Sequence, residues 1–192
     1  DGAGWMRGHP FSLAEAPRDG DLVLAARVVG DGTQRLTALR PGTRVLVEGP
    51  FGISTGAARR GTRLLMVGAG AGVAPLLGLL EDEQWQPGDA TLITRDHVAH
   101  EAIGASHVER LVRDRGLRHV PLHGSRATTT STWLPASHGA WQGADLLRAV
   151  GGEPQDLDVF VCGPGPWMDS VLHDLTLGGV APERIHTESF TS

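Results

Sequence analysis

The pattern of apolar and polar positions changes part-way along the chain. Before residue 56, apolar residues come in short runs at 22–29 and 44–48, each closed by a glycine-rich turn signal. After residue 62, continuous apolar runs alternate with segments in which apolar residues recur every three or four positions. Continuous runs are typical of strands buried on both faces, and the wider spacing is typical of helices. The pattern therefore predicts a strand-rich N-terminal part and a C-terminal part in which strands and helices alternate.

The alternating part predicts a complete α/β domain. Its continuous apolar runs predict five strands, at 64–67, 90–94, 117–122, 159–162 and 184–190. Its helical patterns lie between them, at 76–80, at 108–112 with an end near Gly116, at 142–150, and at 171–175 with an end at Gly178-Gly179. Strands that alternate with helices form a parallel sheet covered on both faces. We therefore predict a doubly wound, five-stranded parallel sheet.

The N-terminal part predicts short strands and little else. A short helix is expected at 33–39, with Thr33 as its cap. This part is too short to bury a core by itself. The change of pattern places the domain boundary between residues 52 and 62, which divides the chain into 1–56 and 57–192.

Composition excludes several classes of protein. Of the 192 residues, 40% are hydrophobic and 20% are charged, which is typical of a folded globular chain. The net charge is −5, lysine is absent and the arginines are scattered, so no basic stripe supports nucleic-acid binding. Cys162 is the single cysteine, which excludes a disulfide framework and an iron–sulfur cluster held by cysteines of this chain. The histidines show no metal-ligand spacing, and no apolar run approaches the roughly 20 residues of a membrane helix, so we expect any membrane part to lie outside this chain.

A glycine-rich segment, Gly68-Ala-Gly70-Ala-Gly72, lies between a predicted buried strand and a predicted helix. Glycines let a backbone approach a pyrophosphate closely, and a helix N-terminus offers free N–H groups and a positive dipole end. Pro75 fits the first turn of that helix. Val73 stands where the common dinucleotide-binding pattern has its third glycine. A tight turn without a ligand is the alternative, but three alternating glycines favour a nucleotide site.

Four further motifs accompany the glycine-rich segment: His9-Pro-Phe-Ser12, Gly49-Pro-Phe-Gly52, Cys162-Gly-Pro164 and Glu188-Ser-Phe190. Together and in this order, the motifs resemble those of the ferredoxin–NADP reductase superfamily. Within this superfamily, the motif His9-Pro-Phe-Ser12 resembles the corresponding motif in the FAD/NAD(P)-binding dehydrogenase domains of ferric reductases and NADPH oxidases. The resemblance implies that the parallel sheet is an NAD(P) domain, preceded by a partial antiparallel β-barrel of an FAD domain. The first three strands of that barrel would lie before Asp1.

The resemblance implies an FAD-binding set made up of His9, Pro10, Phe11, Ser12, Arg27 and Thr33. Phe11 would pack along the flavin, and Ser12 would form a hydrogen bond near flavin N5. His9 would lie near the ribityl or phosphate portion, and Arg27 and Thr33 would approach the pyrophosphate. By itself, Phe11 also suits ordinary core packing, and Thr33 also suits a plain helix cap.

The resemblance also implies a catalytic set made up of Ser12, Cys162, Glu188 and Phe190. Cys162 and Glu188 would be polar neighbours of the reacting nicotinamide ring, with Gly163 and Pro164 beside them. Phe190 would shield the flavin face on which nicotinamide must stack. The alternatives are a small buried hydrophobic residue for Cys162 and a frayed tail residue for Phe190.

Two predicted strand ends bear on the choice of nucleotide. Arg95 ends the second strand, where a dinucleotide fold meets the adenosine ribose. Ser125 and Arg126 end the third strand, where the resemblance implies a Ser-Arg pair that holds the 2′-phosphate of NADP. Asp96 could instead accept a 2′-hydroxyl, and the tyrosine that the family has in this pocket is missing. These residues favour NADP(H) over NAD(H).

The implied function is that of a flavin-dependent oxidoreductase. It would pass a hydride from NAD(P)H to FAD and electrons onward to an acceptor such as haem, iron or an iron–sulfur protein. The implied location is the cytoplasm, alone or as the cytoplasmic domain of a membrane protein with haem in upstream transmembrane helices outside this chain. Two alternatives stay open: a non-catalytic nucleotide-binding fragment with a vestigial flavin site, and an NAD(P) dehydrogenase without flavin. A fragment that lacks half of the barrel is expected to bind FAD weakly.

Overall fold

The computed structural model describes residues 11–26, 28, 30–49, 56–126 and 132–189. At its centre lies one five-stranded parallel sheet, which confirms the predicted fold class. The strands are β1 (Arg63–Ala69), β2 (Ala90–Asp96), β3 (Arg118–His123), β4 (Leu157–Gly163) and β5 (Ile185–Ser189). The helices are α1 (Asp31–Thr37), α2 (Val73–Asp82), α3 (Ala105–Arg115), α4 (Gly143–Gly151) and α5 (Gly165–Leu177). Each described helix is too short or too polar to span a membrane.

The two faces of the sheet are covered by different helices. Alternate residues of β1 point to opposite faces, so Leu64 and Met66 pack on one side while Leu65 and Val67 pack on the other. The first side is covered by apolar residues of α2 and α3, and the second by those of α4 and α5. Burial on both faces is the reason why the strands read as continuous apolar runs.

The strand order is β3-β2-β1-β4-β5, so the chain runs outward from β1 and then crosses back to β4. The order reverses between β1 and β4. In open α/β sheets, ligands bind in the crevice outside the carboxyl ends of the strands at such a reversal. The glycine-rich segment follows β1, and the Cys162-Gly-Pro164 motif ends β4, so both motifs lie at this crevice.

The N-terminal part differs from the prediction. Within 22–26, a single residue pairs as a strand residue would: Leu24 forms one antiparallel bridge with Leu13. Apolar side chains of this part are exposed to solvent, Leu46 at 95% among them. Isolated strands are marginal in water without partner strands, so the apolar run alone does not form one. The antiparallel barrel therefore stays a prediction, as does the division into two domains.

Helix α1 begins at Asp31, two residues before the predicted start, and Gly30 is its N-cap. Thr33 is therefore not the cap, and that prediction is wrong. Its hydroxyl instead donates to the Gly30 carbonyl at 2.9 Å and accepts from the Gly30 N–H at 3.2 Å. The side chain of the third helical residue thus forms hydrogen bonds with both backbone polar groups of the N-cap residue.

The chain enters the sheet at a point fixed by Asp158 of β4. The carboxylate of Asp158 is fully buried and accepts the backbone N–H of Arg60 at 2.7 Å and that of Gly61. A Cβ on Gly61 would lie 2.3 Å from the Asp156 carbonyl oxygen, so the backbones approach too closely for any side chain. These contacts hold residues 60–61 immediately before β1.

Candidate active site

The three glycines of the glycine-rich segment have different surroundings. A Cβ on Gly72 would lie 2.3 Å from the carbonyl oxygen of Cys162, and one on Gly68 would lie 3.0 Å from Leu76 Cδ1. Packing alone therefore explains Gly68 and Gly72. Gly70 differs, because its φ of +55° favours glycine and because no other atom of the described residues lies within 4 Å of a Cβ placed there. Among the described residues, Gly70 thus faces open space at the N-terminal end of α2, where the helix dipole would stabilise a phosphate group. Pro75 lies in the first turn of α2 as predicted.

Three of the predicted catalytic residues meet at the carboxyl edge of the sheet. Cys162 of β4 is paired with Gly68 of β1 on one side and with Glu188 of β5 on the other. The hydroxyl of Ser12 donates to Glu188 Oε1 at 3.4 Å, across 176 positions of sequence. The N-terminal segment and the last strand therefore converge beside the glycine-rich segment.

The thiol of Cys162 is held in its neutral form. Burial raises its pKa to about 12, and the negative charge of Glu188 adds to the rise, while a backbone hydrogen bond with Glu188 opposes it. The residue is only 1% exposed. A thiol with so high a pKa is neither a nucleophile nor a metal-binding thiolate at physiological pH. Cys162 can therefore contact a ligand as a small, uncharged group.

The protonation of Cys162 predicts very slow alkylation. Because its pKa is about 12 in place of 9.0, the thiolate population at pH 8 should be lower by a factor of roughly 10³ than in the unfolded chain. We expect iodoacetamide to label the folded chain at least about 10³-fold more slowly than the urea-unfolded chain. Mass spectrometry reports the site directly, since the chain has one cysteine. Labelling rates within tenfold of each other would contradict the burial of this thiol.

Gly163 and Pro164 connect β4 to α5. A Cβ on Gly163 would lie 2.9 Å from the Trp167 ring, and Pro164 has an extended backbone immediately before the helix. Trp167 is buried and donates its Nε1–H to the Trp133 carbonyl at 3.2 Å. Close packing of Trp167 therefore explains the glycine. The contact of Gly163 and Pro164 with a nucleotide stays a prediction.

Arg95 is buried at the end of β2, and its guanidinium contacts backbone carbonyls. It donates to the Asp96 carbonyl at 2.5 Å and to the Gly124 carbonyl at 2.7 Å. Burial lowers the pKa of Arg95, while the neighbouring charge of Asp96 raises it. The bond to Gly124 ties the end of β2 to the residue that follows β3. The two hydrogen bonds favour a structural role for Arg95, and its predicted contact with the nucleotide stays a prediction.

Ser125 and Arg126 are exposed immediately after β3. The Ser125 carbonyl accepts the Ala136 N–H at 2.9 Å, and Arg126 forms an antiparallel bridge with Pro135. The backbone of the pair is thus held by the following loop, while the side chains are accessible to a ligand. Contact of this pair with a nucleotide stays a prediction.

The Ser- and Thr-rich loop after β3 contains a buried residue that sequence reasoning missed. Trp133 is fully buried, donates its Nε1–H to Asp174 Oδ2 at 2.9 Å and packs edge-on against Trp167. A Cβ on Gly143 would lie 2.0 Å from that same carboxylate oxygen. The Trp133-Leu134 pair within an otherwise polar loop is the sequence feature that could have predicted this buried contact.

His9, Pro10, Arg27 and Phe190 lie outside the described residues, and so does most of the Gly49-Pro-Phe-Gly52 motif. Their roles stay predictions. Phe11 and Ser12 are described, and both are half-buried.

No protein-family model matches the chain. Among curated proteins, it is 30% identical over 129 residues to the ferredoxin reductase component of 3-ketosteroid-9-alpha-monooxygenase from Rhodococcus rhodochrous, covering 67% of this chain and 34% of that protein. It is 29% identical over 181 residues to sulfhydrogenase 1 subunit gamma of Pyrococcus furiosus, covering 92% of this chain and 61% of that protein. Respiratory burst oxidase homolog protein F of Arabidopsis thaliana is 29% identical over 97 residues, 38% of this chain and 10% of that protein. The chain thus spans about a third to three fifths of the first two relatives.

Solved structures share the fold at low identity. A ferredoxin NADP⁺ reductase from Neisseria gonorrhoeae with bound FAD and NADP aligns with a TM-score of 0.69 at 20% identity, covering 93% of this chain and 78% of that one. The flavohem-like FAD/NAD-binding domain of nitric oxide dioxygenase from Vibrio cholerae aligns with a TM-score of 0.65 at 19% identity, covering 94% of this chain and 76% of that one. The chain is thus similar in sequence to a ferredoxin reductase component, and it shares the fold of ferredoxin–NADP reductase-like FAD/NAD-binding domains.

Proposed function

We propose that this chain belongs to a flavin-dependent oxidoreductase that passes a hydride from NAD(P)H to FAD and electrons onward to an acceptor. The observation that carries the proposal is the hydrogen bond from Ser12 to Glu188, which lies beside Cys162 in the sheet. Ser12 belongs to the segment predicted to bind flavin, and Glu188 belongs to the strand predicted to meet nicotinamide. A nucleotide domain that worked without flavin would have no use for that contact.

The residues of the chain suit binding and orientation. The open face at Gly70 and the N-terminus of α2 would take the nucleotide pyrophosphate. The neutral thiol of Cys162 would contact the ring without adding charge, whereas Glu188 would stabilise the positive charge that nicotinamide gains as it loses hydride. The hydroxyl of Ser12 would be held in one orientation by Glu188. Bound FAD supplies the hydride acceptor and the capacity to pass electrons on singly.

The names of the relatives support a reductase with a separate acceptor. They include a ferredoxin reductase component, electron transfer subunits of dihydroorotate dehydrogenase B and respiratory burst oxidase homologs. On this proposal the acceptor is haem, iron or an iron–sulfur protein. The chain works in the cytoplasm, alone or as the cytoplasmic domain of a membrane protein whose upstream helices hold haem.

The test uses the full-length protein that contains this chain. Reconstituted with FAD and mixed anaerobically with NAD(P)H, it should lose its oxidised-flavin absorbance. Bound flavin that NAD(P)H does not reduce would contradict the proposal. A protein that binds the nucleotide but no flavin would instead support the alternative of a non-catalytic fragment with a vestigial site.

We further propose that NADPH is favoured over NADH, through Arg126. A charge-assisted contact to a phosphate contributes about 1.5–3 kcal/mol, which is roughly tenfold or more in affinity. We expect calorimetric titration to show tighter NADPH binding, and Arg126→Ala to remove most of the difference. Arg113→Ala, another exposed arginine, paired with Asp114 on α3, serves as the matched control and should leave the preference unchanged. Equal wild-type affinities for the two nucleotides would contradict this preference.

A further inference from the structure

The far end of α2 carries a buried carboxylate that two parts of the chain share. The side chain of Glu81 is 5% exposed. From the N-terminal segment, it accepts the Ala16 N–H at 3.0 Å and pairs with the Arg18 guanidinium. From α3, Arg110 Nη2 lies 3.7 Å from Oε1 and His107 Nε2 lies 3.8 Å from Oε2.

The two arginines supply the positive charge that faces Glu81. Burial lowers the pKa of His107, and the charge of Arg110 lowers it further, against the opposing effects of Glu81 and Glu15. The imidazole is therefore uncharged at neutral pH. A buried carboxylate is costly unless its charge is paired and its oxygens are hydrogen-bonded, so Glu81 depends on contacts from both sides.

A glycine three positions earlier lets the N-terminal segment lie directly on the helix. Residues at this spacing share one face of an α-helix, so Gly78 and Glu81 form one surface, which we call the α2 seat. A Cβ on Gly78 would lie 3.0 Å from the Leu13 carbonyl oxygen and 3.6 Å from the carbonyl carbon of Ala14. The backbone of residues 13–15 therefore lies against the helix at Gly78, closer at Leu13 than a side chain would ordinarily allow.

The same helix organises both sides of the candidate active site. Its N-terminus follows the glycine-rich segment, and its α2 seat holds the segment whose preceding residue is Ser12. Ser12 in turn contacts Glu188. We propose that Gly78 and Glu81 are positioning residues for hydride transfer, which act by holding Ser12 in register with Glu188 and Cys162. This inference rests on the proposed function.

The physical consequence is a geometric link between two cofactor sites. Misplacement by about 1 Å, caused by a change far from the reacting atoms, can slow a reaction by roughly a hundredfold. A displaced 13–16 segment would move Ser12, while the glycine-rich segment would keep its place in the sheet. Hydride transfer should therefore suffer while NAD(P)H binding does not.

The experiment uses the FAD-loaded full-length protein. Gly78→Ala and Gly78→Val add side chains of increasing size to the α2 seat, and Arg18→Gln removes the contact from the N-terminal segment. Arg110→Gln is the matched control, because it removes an arginine that faces the same carboxylate oxygen from within the nucleotide domain. Stopped-flow flavin reduction, the NAD(P)H dissociation constant and amide hydrogen exchange at Ala16 are measured for each variant.

We expect flavin reduction to slow by about threefold in Gly78→Ala and Arg18→Gln and by at least tenfold in Gly78→Val. The NAD(P)H dissociation constant should stay within about twofold in all variants, and Arg110→Gln should slow flavin reduction less than Arg18→Gln does. Alanine is a better helix former than glycine, so Gly78→Ala should not weaken α2. Slower flavin reduction in this variant would therefore report displacement of the N-terminal segment and not loss of helix stability. Exchange at the Ala16 amide should accelerate in Gly78→Val, a readout independent of flavin.

The inference is overturned if Gly78→Val reduces flavin at the wild-type rate, or if Arg110→Gln slows reduction as much as Arg18→Gln does. A purely structural seat would lower the melting temperature of all these variants and leave the rate constant of their folded fraction unchanged. Failure of the proposed function is distinct, since the wild-type protein itself would then not be reduced by NAD(P)H.

Discussion

Gly72→Ala is expected to abolish nucleotide binding and to lower the free energy of unfolding by about 3 kcal/mol or more. Its new methyl group would lie 2.3 Å from the Cys162 carbonyl oxygen and 2.8 Å from the Gly163 nitrogen. Both are backbone atoms of a central strand, which cannot turn aside as a flexible side chain could. The start of α2 would therefore have to move away from β4. Urea unfolding gives the stability change, and calorimetric titration gives nucleotide affinity.

Gly70→Ala is the matched control within the same segment. In the part of the chain that the structure describes, no other atom lies within 4 Å of its new methyl group, so the cost should be confined to the left-handed backbone, about 1 kcal/mol. That methyl group occupies the open space in which a pyrophosphate would bind. We therefore expect weaker nucleotide binding with little loss of stability. If Gly70→Ala left binding unchanged, the segment would be a tight turn without a ligand. Equal stability losses for the two variants would contradict the close approach of Gly72 to β4.

Glu188→Gln is expected to slow flavin reduction by about a hundredfold in the full-length protein. The substitution keeps an oxygen to accept the Ser12 hydrogen bond, and it removes the negative charge at the carboxyl edge of the sheet. That charge should stabilise the developing positive charge on nicotinamide, so its loss acts on the transition state more than on binding. Stopped-flow reduction at saturating NAD(P)H should show the decrease, while the NAD(P)H dissociation constant should change by less than about threefold.

A second readout does not require flavin. Burial is the main reason for the raised pKa of Cys162, and the charge of Glu188 adds to it. Glu188→Gln should therefore lower the pKa of the thiol and accelerate its alkylation. Thr187→Val is the control, because Thr187 is an exposed neighbour on the same strand. Unchanged flavin reduction in Glu188→Gln would remove Glu188 from the catalytic set.

The α/β part of the chain was predictable because its signals are local. A continuous apolar run such as Leu64–Val67 requires burial on both faces, and β1 has that burial. The predicted end of a helix near Gly116 is confirmed, since α3 ends there with Gly116 at φ +72°. Left-handed backbone at a helix end favours glycine wherever it occurs, so the residue by itself indicated the boundary.

The N-terminal strands were not predictable in the same way. The apolar run at 22–29 has the residue types of a strand, yet its described residues form one bridge. A strand is completed by hydrogen bonds to its neighbours, and those neighbours are not indicated by the run itself. The prediction of Thr33 as a cap was wrong for a related reason, because several polar and glycine positions there suit a helix start equally well.

The sequence by itself determined which elements form, in which order, and which residues are candidates for the site. These properties follow from periodicity, turn residues and motifs, all of which act over a few positions. Only the tertiary structure decided that β4 and β5 lie side by side, that Ser12 reaches Glu188, and that the α2 seat holds the segment behind it. It also decided that Gly72 is required by packing and that Arg95 contacts backbone carbonyls. These contacts join residues far apart in the chain, so they depend on strand order and helix placement, which no local pattern contains.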